Sequence, residues 1–273
     1  TPDTLRLTPL AELNRGLGAK MVPFAGYAMP VQYAAGVMAE HKHTRAAAGL
    51  FDVSHMGQIV LRGDGAAAAL ESCVTADVVS LPEGRQRYAL LTNAAGGIDD
   101  DLMVANRGDH LFLVVNAANA DADEAILRDA LEPRGIAVKR LETRALIALQ
   151  GPQAGAVLAG HHPDAEALRF MQVATIPLCG AECWVSRSGY TGADAFEISV
   201  PAEAAEDLVR ALLADDRVAP AGLGARDSLR LEAGLCLHGQ DIDATTTPVS
   251  AGLGWAIGKA RRPGGARPGG FPG

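Results

Sequence analysis

Three consecutive aspartates are the first candidates for chemistry in this sequence. Residues 96–104 read GGIDDDLMV, so that Asp99, Asp100 and Asp101 directly precede a strand-like apolar run. Adjacent carboxylates repel each other, and this raises the proton affinity of at least one of them. One interpretation is a solvated turn in which Gly96 and Gly97 supply positive φ angles. The other is a carboxylate site, and the stretch alone leaves both open.

A further carboxylate stands in the strand-like stretch FEISV. The two-residue period of a strand puts Phe196, Ile198 and Val200 on one face, and Glu197 and Ser199 on the other. If the second face lines a cavity, Glu197 can accept two parallel hydrogen bonds from a planar heterocycle. A solvent-facing glutamate is the alternative.

Two arginines in GARDSLRLEAG are spaced for one helix face. Arg226 and Arg230 are four residues apart, and a guanidinium recognises carboxylate or carbonyl edges in a planar, bidentate manner. Local pairing with Asp227 or Glu232 is the alternative, and it would leave nothing for a ligand.

The histidines and serines predict neither a metal site nor a nucleophile. On a helix, His41 and His43 lie about 200° apart and diverge, and no H-E-x-x-H arrangement is present. A G-x-S-x-G elbow is also missing, and Ser188 has no indicated base. We therefore expect no metal and no nucleophilic hydrolysis.

The elements that must position these groups follow from periodicity and from capping or turn residues. Helices are predicted at 37–48, 64–73, 122–131, 152–159, 202–213 and 225–233, and strands at 58–61, 87–91, 111–115, 145–149, 182–186 and 196–200. Strands and helices do not alternate strictly, and no Gly-rich nucleotide motif appears, so an α+β fold with mostly antiparallel sheets is predicted. Residues 261–273 hold five glycines and three prolines, which predicts a linker without packed structure.

Composition narrows the functional classes. The 273 residues are 48% hydrophobic and 21% charged, with a net charge of −8 and no basic concentration, which argues against nucleic-acid binding. No apolar run is long enough to span a membrane, and no signal peptide is visible. The four sparse cysteines predict buried, reduced thiols and a cytoplasmic protein.

Eight stretches, in order along the chain, resemble the T-protein family of the glycine cleavage system. They are MVPFAGYAMPVQY (21–33), GLFDVSHMG (49–57), GGIDDDLMV (96–104), VVNAAN (114–119), ALQGPQA (148–154), SRSGYTGADAFEISV (186–200), ARDSLRLEAGLCLHGQDID (225–243) and TPVSAGLGWAIGK (247–259). The resemblance implies a folate-dependent aminomethyltransferase. Such an enzyme transfers the one-carbon unit of an aminomethyl-lipoyl carrier, the H-protein, to tetrahydrofolate, releasing ammonia and giving 5,10-methylenetetrahydrofolate.

The resemblance also implies roles for individual residues. Asp101 takes the position of the catalytic carboxylate, Glu197 that of the group holding the pterin edge, and Arg226 that of a second folate contact. Further positions that match the folate pocket are Met56, Tyr88, Asn116 and His238. The chain departs from the family pattern at Asp99, which is usually apolar, and at His238, which is commonly Tyr.

By resemblance, the fold is α+β, with two intertwined lobes of mainly antiparallel sheets flanked by helices and the folate pocket between them. Residues 1–260 form this folate-binding domain, with an inserted lobe at about 52–140 and a first lobe from 1–51 and 141–260. Residues 261–273 would lead to a C-terminal β-barrel domain, which is expected to be absent.

Other readings of the resemblance remain open. One is a folate-binding repair or regulatory protein of the same fold, although its K-G-C-Y-x-G-Q-E stretch is replaced here by LCLHGQDID. Another is a folate module of the kind fused to sarcosine or dimethylglycine oxidases, but no flavin fingerprint is present. The last is an inactive, truncated remnant.

Overall fold

The computed structural model describes residues 5–273. Within these residues the strands are β1 (Arg6–Leu7), β2 (Lys20–Phe24), β3 (Tyr27–Gln32), β4 (Ala48–Asp52), β5 (Gly57–Arg62), β6 (Arg85–Thr92), β7 (Ile98–Asn106), β8 (Leu111–Val115), β9 (Ala137–Arg140), β10 (Arg144–Gln150), β11 (Val173–Leu178), β12 (Ala181–Ser186), β13 (Ala195–Pro201) and β14 (Val218–Pro220). The α-helices are α1 (Ala11–Gly16), α2 (Val37–Ala46), α3 (Ala66–Leu70), α4 (Ala120–Leu131), α5 (Ala154–His161), α6 (Asp164–Ala167), α7 (Ala205–Leu213) and α8 (Leu223–Glu232). Every predicted helix and strand overlaps an observed one.

The predicted fold class is confirmed. Within residues 5–273 the sheets are joined by antiparallel pairs except for β1 with β3 and β14 with β4, which are parallel. The chain divides into two compact units: unit 1 comprises residues 5–55 and 143–235, and unit 2 comprises residues 56–142 and 236–273.

Unit 1 contains a six-stranded sheet with the order β11-β12-β13-β10-β4-β14 and a three-stranded sheet with the order β1-β3-β2. Phe196, Ile198 and Val200 of β13 are completely buried in its core, as the strand period predicts. Ile147 and Leu149 of the neighbouring β10 lie in the same core. The alternate residues of β13 therefore leave Glu197 on the opposite face of the sheet.

Unit 2 contains a five-stranded sheet with the order β6-β7-β8-β5-β9. Its core includes Leu102 and Val104 of β7, together with Leu127 of α4. The β6–β7 hairpin closes where Asn93 N–H donates to the Gly97 carbonyl over 3.0 Å and Gly96 N–H donates to the Asn93 carbonyl over 2.9 Å.

Of the two interpretations of the aspartate stretch, the solvated turn is wrong. All three aspartates lie inside β7, because the turn closes at the glycines and pairing resumes at Ile98. Gly96 has the predicted positive φ (+81°). Gly97 has another reason to be glycine, since a Cβ there would collide with the Ala244 carbonyl oxygen. The aspartates are thus held by a regular sheet.

The C-terminal region differs from its prediction. Residues 236–260, assigned above to the first lobe, group with unit 2 because Ile242, Leu253 and Ala256 pack with Leu90 and Ile98. Residues 261–273 form no strand and most of them are exposed, as predicted for a linker, but Arg261 is buried and several contacts join the segment to unit 2.

Ion pairs hold this last segment to unit 2. Arg261 is buried and pairs with the buried Glu71, and Arg267 pairs with Glu71 over 3.0 Å and with Asp77. The Thr92 hydroxyl also donates to the Pro272 carbonyl over 2.8 Å. Composition alone could not indicate these long-range partners.

Cysteine burial follows the prediction only in part. All four cysteines are free, and Cys73 and Cys183 are buried. Cys179 is exposed because it occupies the tight turn between β11 and β12 with a φ of +51°. None of the helices within residues 5–273 has the length and apolar character that crossing a membrane requires.

Candidate active site

Three of the predicted site residues meet around one carboxylate in unit 2. Asp101 lies on β7 opposite Leu90, and Tyr88 of β6 reaches it from a diagonal position. The Tyr88 hydroxyl donates to Asp101 Oδ2 over 3.0 Å, and Asn116 Nδ2 donates to Asp101 Oδ1 over 2.8 Å. Both carboxylate oxygens therefore have a donor, and the group is fixed in orientation.

The surroundings of Asp101 raise the pKa of its carboxyl group above the ordinary value. Burial is the largest cause that raises its pKa, and the neighbouring Asp100 raises it further. Hydrogen bonds from Tyr88 and Asn116 act in the opposite direction without cancelling the rise. The like-charge effect expected from the sequence is thus present, but it is second to desolvation.

His238 lies one hydrogen bond away from the aspartates. Asn119 Nδ2 donates to His238 Nδ1 over 2.9 Å, and His238 Nε2 lies 3.0 Å from the Ile98 carbonyl. The amide nitrogen of Asn119 can only donate, and the carbonyl oxygen of Ile98 can only accept. The imidazole of His238 therefore fits as the tautomer that carries its proton on Nε2. His238 therefore helps to hold β7 and Asn119.

Sequence reasoning missed two neighbours of this cluster. Trp255 stacks on Tyr88 with ring centroids 5.3 Å apart, and it is 63% exposed. Asn119 donates to Asp100 Oδ1 over 2.7 Å. The available signals were weak: a lone tryptophan among glycines and a second asparagine in VVNAAN.

A second group of predicted residues lies in unit 1. Glu197 of β13 is half-buried and accepts a hydrogen bond from the Ser188 hydroxyl at Oε2 over 3.0 Å. Arg226 of α8 stacks its guanidinium over the Tyr190 ring, 4.6 Å from the centroid. Ser188 and Tyr190 belong to the stretch SRSGYTG. The sequence analysis considered Ser188 only as a nucleophile and gave Tyr190 no role.

The two arginines of α8 differ in their ion-pair partners. Arg230 follows the local alternative, because its guanidinium pairs with Asp227 over 2.8 Å. Arg226 has no such pair, and within residues 5–273 its buried Nη1 atom has no hydrogen-bond partner. An unsatisfied buried guanidinium nitrogen is costly unless a ligand accepts from it.

Burial dominates the electrostatics of this group. Desolvation raises the pKa of Glu197, although the Arg226 charge and the Ser188 hydroxyl oppose the rise. Desolvation likewise lowers the pKa of Arg226. The buried His55 has its pKa lowered to about 3, first by burial and then by Arg226, so its imidazole is neutral at physiological pH.

The remaining predicted residue, Met56, directly precedes β5 and is half-buried. Its role in the folate pocket stays a prediction. Among residues 5–273, no group of three or more His, Cys, Asp or Glu side chains could hold a metal ion.

The fold and these two groups of side chains define a known class. Residues 10–261 match the family model described as the GCVT N-terminal domain, and the chain belongs to this family. Its relatives include the mitochondrial aminomethyltransferases of Dictyostelium discoideum and Homo sapiens. The Dictyostelium protein is 46% identical over 99% of this chain and 70% of its own length. The human protein is 46% identical over 95% of this chain and 66% of its own length.

Two solved structures are similar to this chain. The crystal structure of glycine cleavage system aminomethyltransferase T from Bartonella henselae matches 98% of this chain and 72% of that chain, with a TM-score of 0.91 and 46% identity. A heterotetrameric sarcosine oxidase from Corynebacterium sp. U-96 matches with a TM-score of 0.51 and 22% identity, a likeness that concerns the fold alone.

Proposed function

We propose that Asp101 is the catalytic carboxylate of a folate-dependent aminomethyltransferase. Family membership and the similarity to aminomethyltransferases make the chain a transferase with tetrahydrofolate as the one-carbon acceptor. The observation that carries the proposal for Asp101 is its double hydrogen bonding by Tyr88 and Asn116. A carboxylate held this way does not have to reorient when positive charge develops beside it.

The proposed role of Asp101 is electrostatic. In the proposed transfer the folate nitrogens form bonds to the aminomethyl carbon, while its bond to nitrogen breaks to release ammonia and its bond to the lipoyl sulfur breaks to leave a thiol. Positive charge develops on nitrogen and carbon during these steps. A fixed, largely desolvated carboxylate stabilises such charge more strongly than water does. Burial and the neighbouring Asp100 raise the pKa of Asp101, and the hydrogen bonds from Tyr88 and Asn116 oppose this rise, which favours the charged form that the proposed role needs.

Glu197 and Arg226 are proposed to bind the flat ring of tetrahydrofolate. A carboxylate on a sheet face can accept from the N–H and NH₂ groups of a pterin edge. The unpartnered Nη1 of Arg226 supports a ligand acceptor such as a carbonyl oxygen. The residues present therefore fit the ligand that the family uses.

The other predicted residues receive supporting roles in the proposal. Tyr88 and Asn116 orient Asp101, His238 replaces a family tyrosine as a hydrogen-bonding wall, and Met56 lines the folate pocket. The one-carbon donor is proposed to be the aminomethyl-lipoyl arm of an H-protein. The free thiols, one of them exposed, suit a reducing compartment such as the cytoplasm.

An assay of the transfer step tests the role of Asp101. The purified chain is mixed with tetrahydrofolate and an aminomethyl-lipoyl carrier, and methylenetetrahydrofolate is followed. We expect Asp101→Asn to lower kcat roughly 100-fold or more, a loss typical of one preorganised electrostatic group. The matched control is Asp99→Asn, because Asp99 is on the same strand but bonds to Asn93 Nδ2 over 2.8 Å.

Direct binding measurements test Glu197 and separate the alternatives. Glu197→Gln should weaken tetrahydrofolate binding about 10- to 100-fold, since one hydrogen bond to a charged group is worth about 1.5–3 kcal/mol. Ser188→Ala, which removes only the supporting donor, should weaken it less. Folate binding without any turnover by the unaltered chain would support a folate-binding protein instead, and the absence of both would support an inactive remnant.

A further inference from the structure

The loop between β12 and β13 (residues 187–194) contacts both residues that are proposed to bind the folate ring. Its Ser188 hydroxyl donates to Glu197 Oε2 over 3.0 Å. Its Tyr190 ring lies beneath the Arg226 guanidinium, with the ring centroid 4.6 Å from the guanidinium carbon. The position of this one loop therefore affects both contacts, and the residues that hold the loop become important.

Gln150, the last residue of β10, holds the loop from the side of the sheet. Its side chain is completely buried. Its Oε1 atom accepts the Tyr190 backbone N–H over 2.9 Å and the Thr191 hydroxyl over 3.3 Å. Because a backbone N–H can only donate, the amide oxygen rather than the amide nitrogen must face the loop. Two consecutive loop residues are thus bonded to a single buried oxygen.

The loop lies unusually close to this side chain. A Cβ atom at Gly189 would be 2.4 Å from Gln150 Oε1 and 2.3 Å from the Ala195 Cβ atom. Gln150 and Ala195 are paired in the β10–β13 ladder, so both neighbours are held by the sheet. Within residues 5–273 the buried Nε2 atom of Gln150 has no hydrogen-bond partner. The contact with the loop therefore uses only the acceptor of the amide.

Arg45 of α2 holds the same loop from the side of α8. Its Nη1 atom donates to the Thr191 carbonyl, its Nη2 atom donates to the Leu229 carbonyl over 3.2 Å, and its Nε atom pairs with Glu232 over 2.6 Å. Leu229 and Glu232 belong to α8, which also carries Arg226. Since the donors of a guanidinium have a rigid, planar arrangement, Arg45 sets the spacing between the loop and α8.

We propose that Gln150 and Arg45 are positioning residues, which hold the β12–β13 loop so that Tyr190 stays beneath the Arg226 guanidinium. Gln150 joins the loop to the sheet, and Arg45 joins it to α8. The consequence for ligand binding rests on the function proposed above for Arg226 and Glu197. Without these contacts the loop would move, and Arg226 would lose the ring that orients it.

Two substitutions of Gln150 separate its acceptor from its volume. Gln150→Leu removes the acceptor, and we expect the Kd of tetrahydrofolate to rise about 5- to 10-fold while kcat stays within about twofold. Gln150→Glu keeps an oxygen toward the loop and replaces only the unpartnered nitrogen, so binding should be restored. Gln153→Leu, the same change at an exposed position, is the control and should leave the Kd unaltered.

Arg45→Met tests the other side of the loop at a partly exposed site, where folding is less at risk. We expect it to raise the Kd of tetrahydrofolate about fivefold with kcat within about twofold, because the carbonyl of Thr191 loses its donor. The matched control is Arg15→Met, since Arg15 pairs with the exposed Glu12 in the same unit. Circular dichroism checks that every variant is folded.

An NMR signal reports the position of Tyr190 without any ligand. The ring current of Tyr190 shifts the Arg226 Nε–H signal, and Tyr190→Leu gives the position of this signal without the ring. In Gln150→Leu and Arg45→Met we expect the signal to move toward that position, and in Gln150→Glu to stay in place. An unmoved signal in folded Gln150→Leu or Arg45→Met would overturn the proposal.

The two readouts separate this inference from the proposed function. If the unaltered chain does not bind tetrahydrofolate, the proposed function is wrong, while the Arg226 signal still decides whether Gln150 and Arg45 position Tyr190. Equal losses of binding in Gln150→Leu and Gln150→Glu would also be contrary to the proposal. If Gln150→Leu does not fold, Gln150→Glu and Arg45→Met decide between the same outcomes.

Discussion

The hydroxyl of Tyr88 donates to Oδ2 of Asp101 over 3.0 Å, and the ring of the same tyrosine stacks on Trp255 with centroids 5.3 Å apart. One side chain thus joins the proposed catalytic carboxylate to an exposed aromatic surface. The hydrogen bond lowers the pKa of Asp101 against the effect of burial. The Tyr88–Asp101 hydrogen bond therefore affects both the orientation of the carboxylate and the pH range over which it is charged.

Removal of the Tyr88 hydroxyl should impair transfer without disturbing the stack. In Tyr88→Phe the ring remains and the donor is lost, so we expect the pKa of Asp101 to rise further. The acidic limb of the kcat profile should move to higher pH, and kcat at neutral pH should fall roughly 10-fold, as for one hydrogen bond to a charged group. A pH series of single-turnover rates measures both effects.

The control for this prediction is Trp255→Leu, which removes the stacking partner and keeps the hydroxyl. It should leave the acidic limb in place. If both variants moved the limb equally, ring packing rather than the hydrogen bond would determine the behaviour of Asp101.

Loss of the Arg226 charge should be detectable at two neighbours. The guanidinium lowers the pKa of both His55 and Glu197, so Arg226→Met should raise both. Arg226→Lys retains a positive charge and should leave the pKa of His55 near its low value of about 3. NMR titration of the His55 Cε1 signal checks this, and an unchanged pKa in Arg226→Met would show that burial alone depresses it.

The buried ion pair of the C-terminal segment should contribute to stability. Arg261→Met leaves Glu71 buried with only Arg267 as a cationic partner, and we expect a loss of about 3 kcal/mol in the free energy of unfolding. The matched control is Arg62→Met, since Arg62 pairs with Asp109 at the surface of the same unit and should cost less than about 1 kcal/mol. Urea denaturation of the full chain measures both.

The same ion pair should weaken in acid. Burial by itself raises the pKa of Glu71, but hydrogen bonds from Arg267 and the Val79 N–H and the charges of Arg261 and Arg267 lower it overall. A carboxyl group whose pKa is lowered by folding stabilises the native state above its unfolded pKa, and this contribution is lost as the pH falls. The difference between the unaltered chain and Arg261→Met should therefore shrink below about pH 4.

Asp123 should have the opposite pH dependence. Its pKa is raised from 3.8 to about 10 in the native protein, so the native state binds a proton that the unfolded state releases. Its contribution is complete below pH 3.8 and is lost as the pH rises toward 10. Asp123→Asn does not titrate, so its stability relative to the unaltered chain should increase by about 1.4 kcal/mol per pH unit within this window. Parallel stability curves between pH 5 and pH 8 would contradict this prediction.

Strand positions were predictable where the hydrophobic pattern of the strand and the residues that end it lie within the same short stretch of sequence. The predicted strand 111–115 has the bounds of β8, and the predicted strand 196–200 lies inside β13. The aspartate stretch was misplaced because like charges suggest solvent, whereas pairing with β6 and β8 places Asp100 in the interior. Tertiary pairing there outweighs local propensity.

The site could be predicted only as separate residues. Resemblance indicated Asp101, Tyr88 and Asn116, and the structure brings these three together. It could not indicate Asn119, because the contact of this side chain with Asp100 depends on how the residues before α4 pack against β7. The predicted convergence of Asp101 and Glu197 on a single ligand stays a prediction, which a double-mutant cycle on folate binding would test.

The connectivity of the two units affects how the chain acquires its structure. In unit 1, β4 pairs with β10 and β14, so an early strand has no sheet neighbours until much later residues emerge from the ribosome. The main core of unit 2 is instead drawn from residues 59–138, and only contacts such as the Arg261–Glu71 ion pair are added late. The core of unit 1 joins residues from Leu10 to Val218, and such delayed, long-range assembly slows folding and lengthens exposure to aggregation. We therefore expect a newly made chain to depend on chaperones until unit 1 is complete.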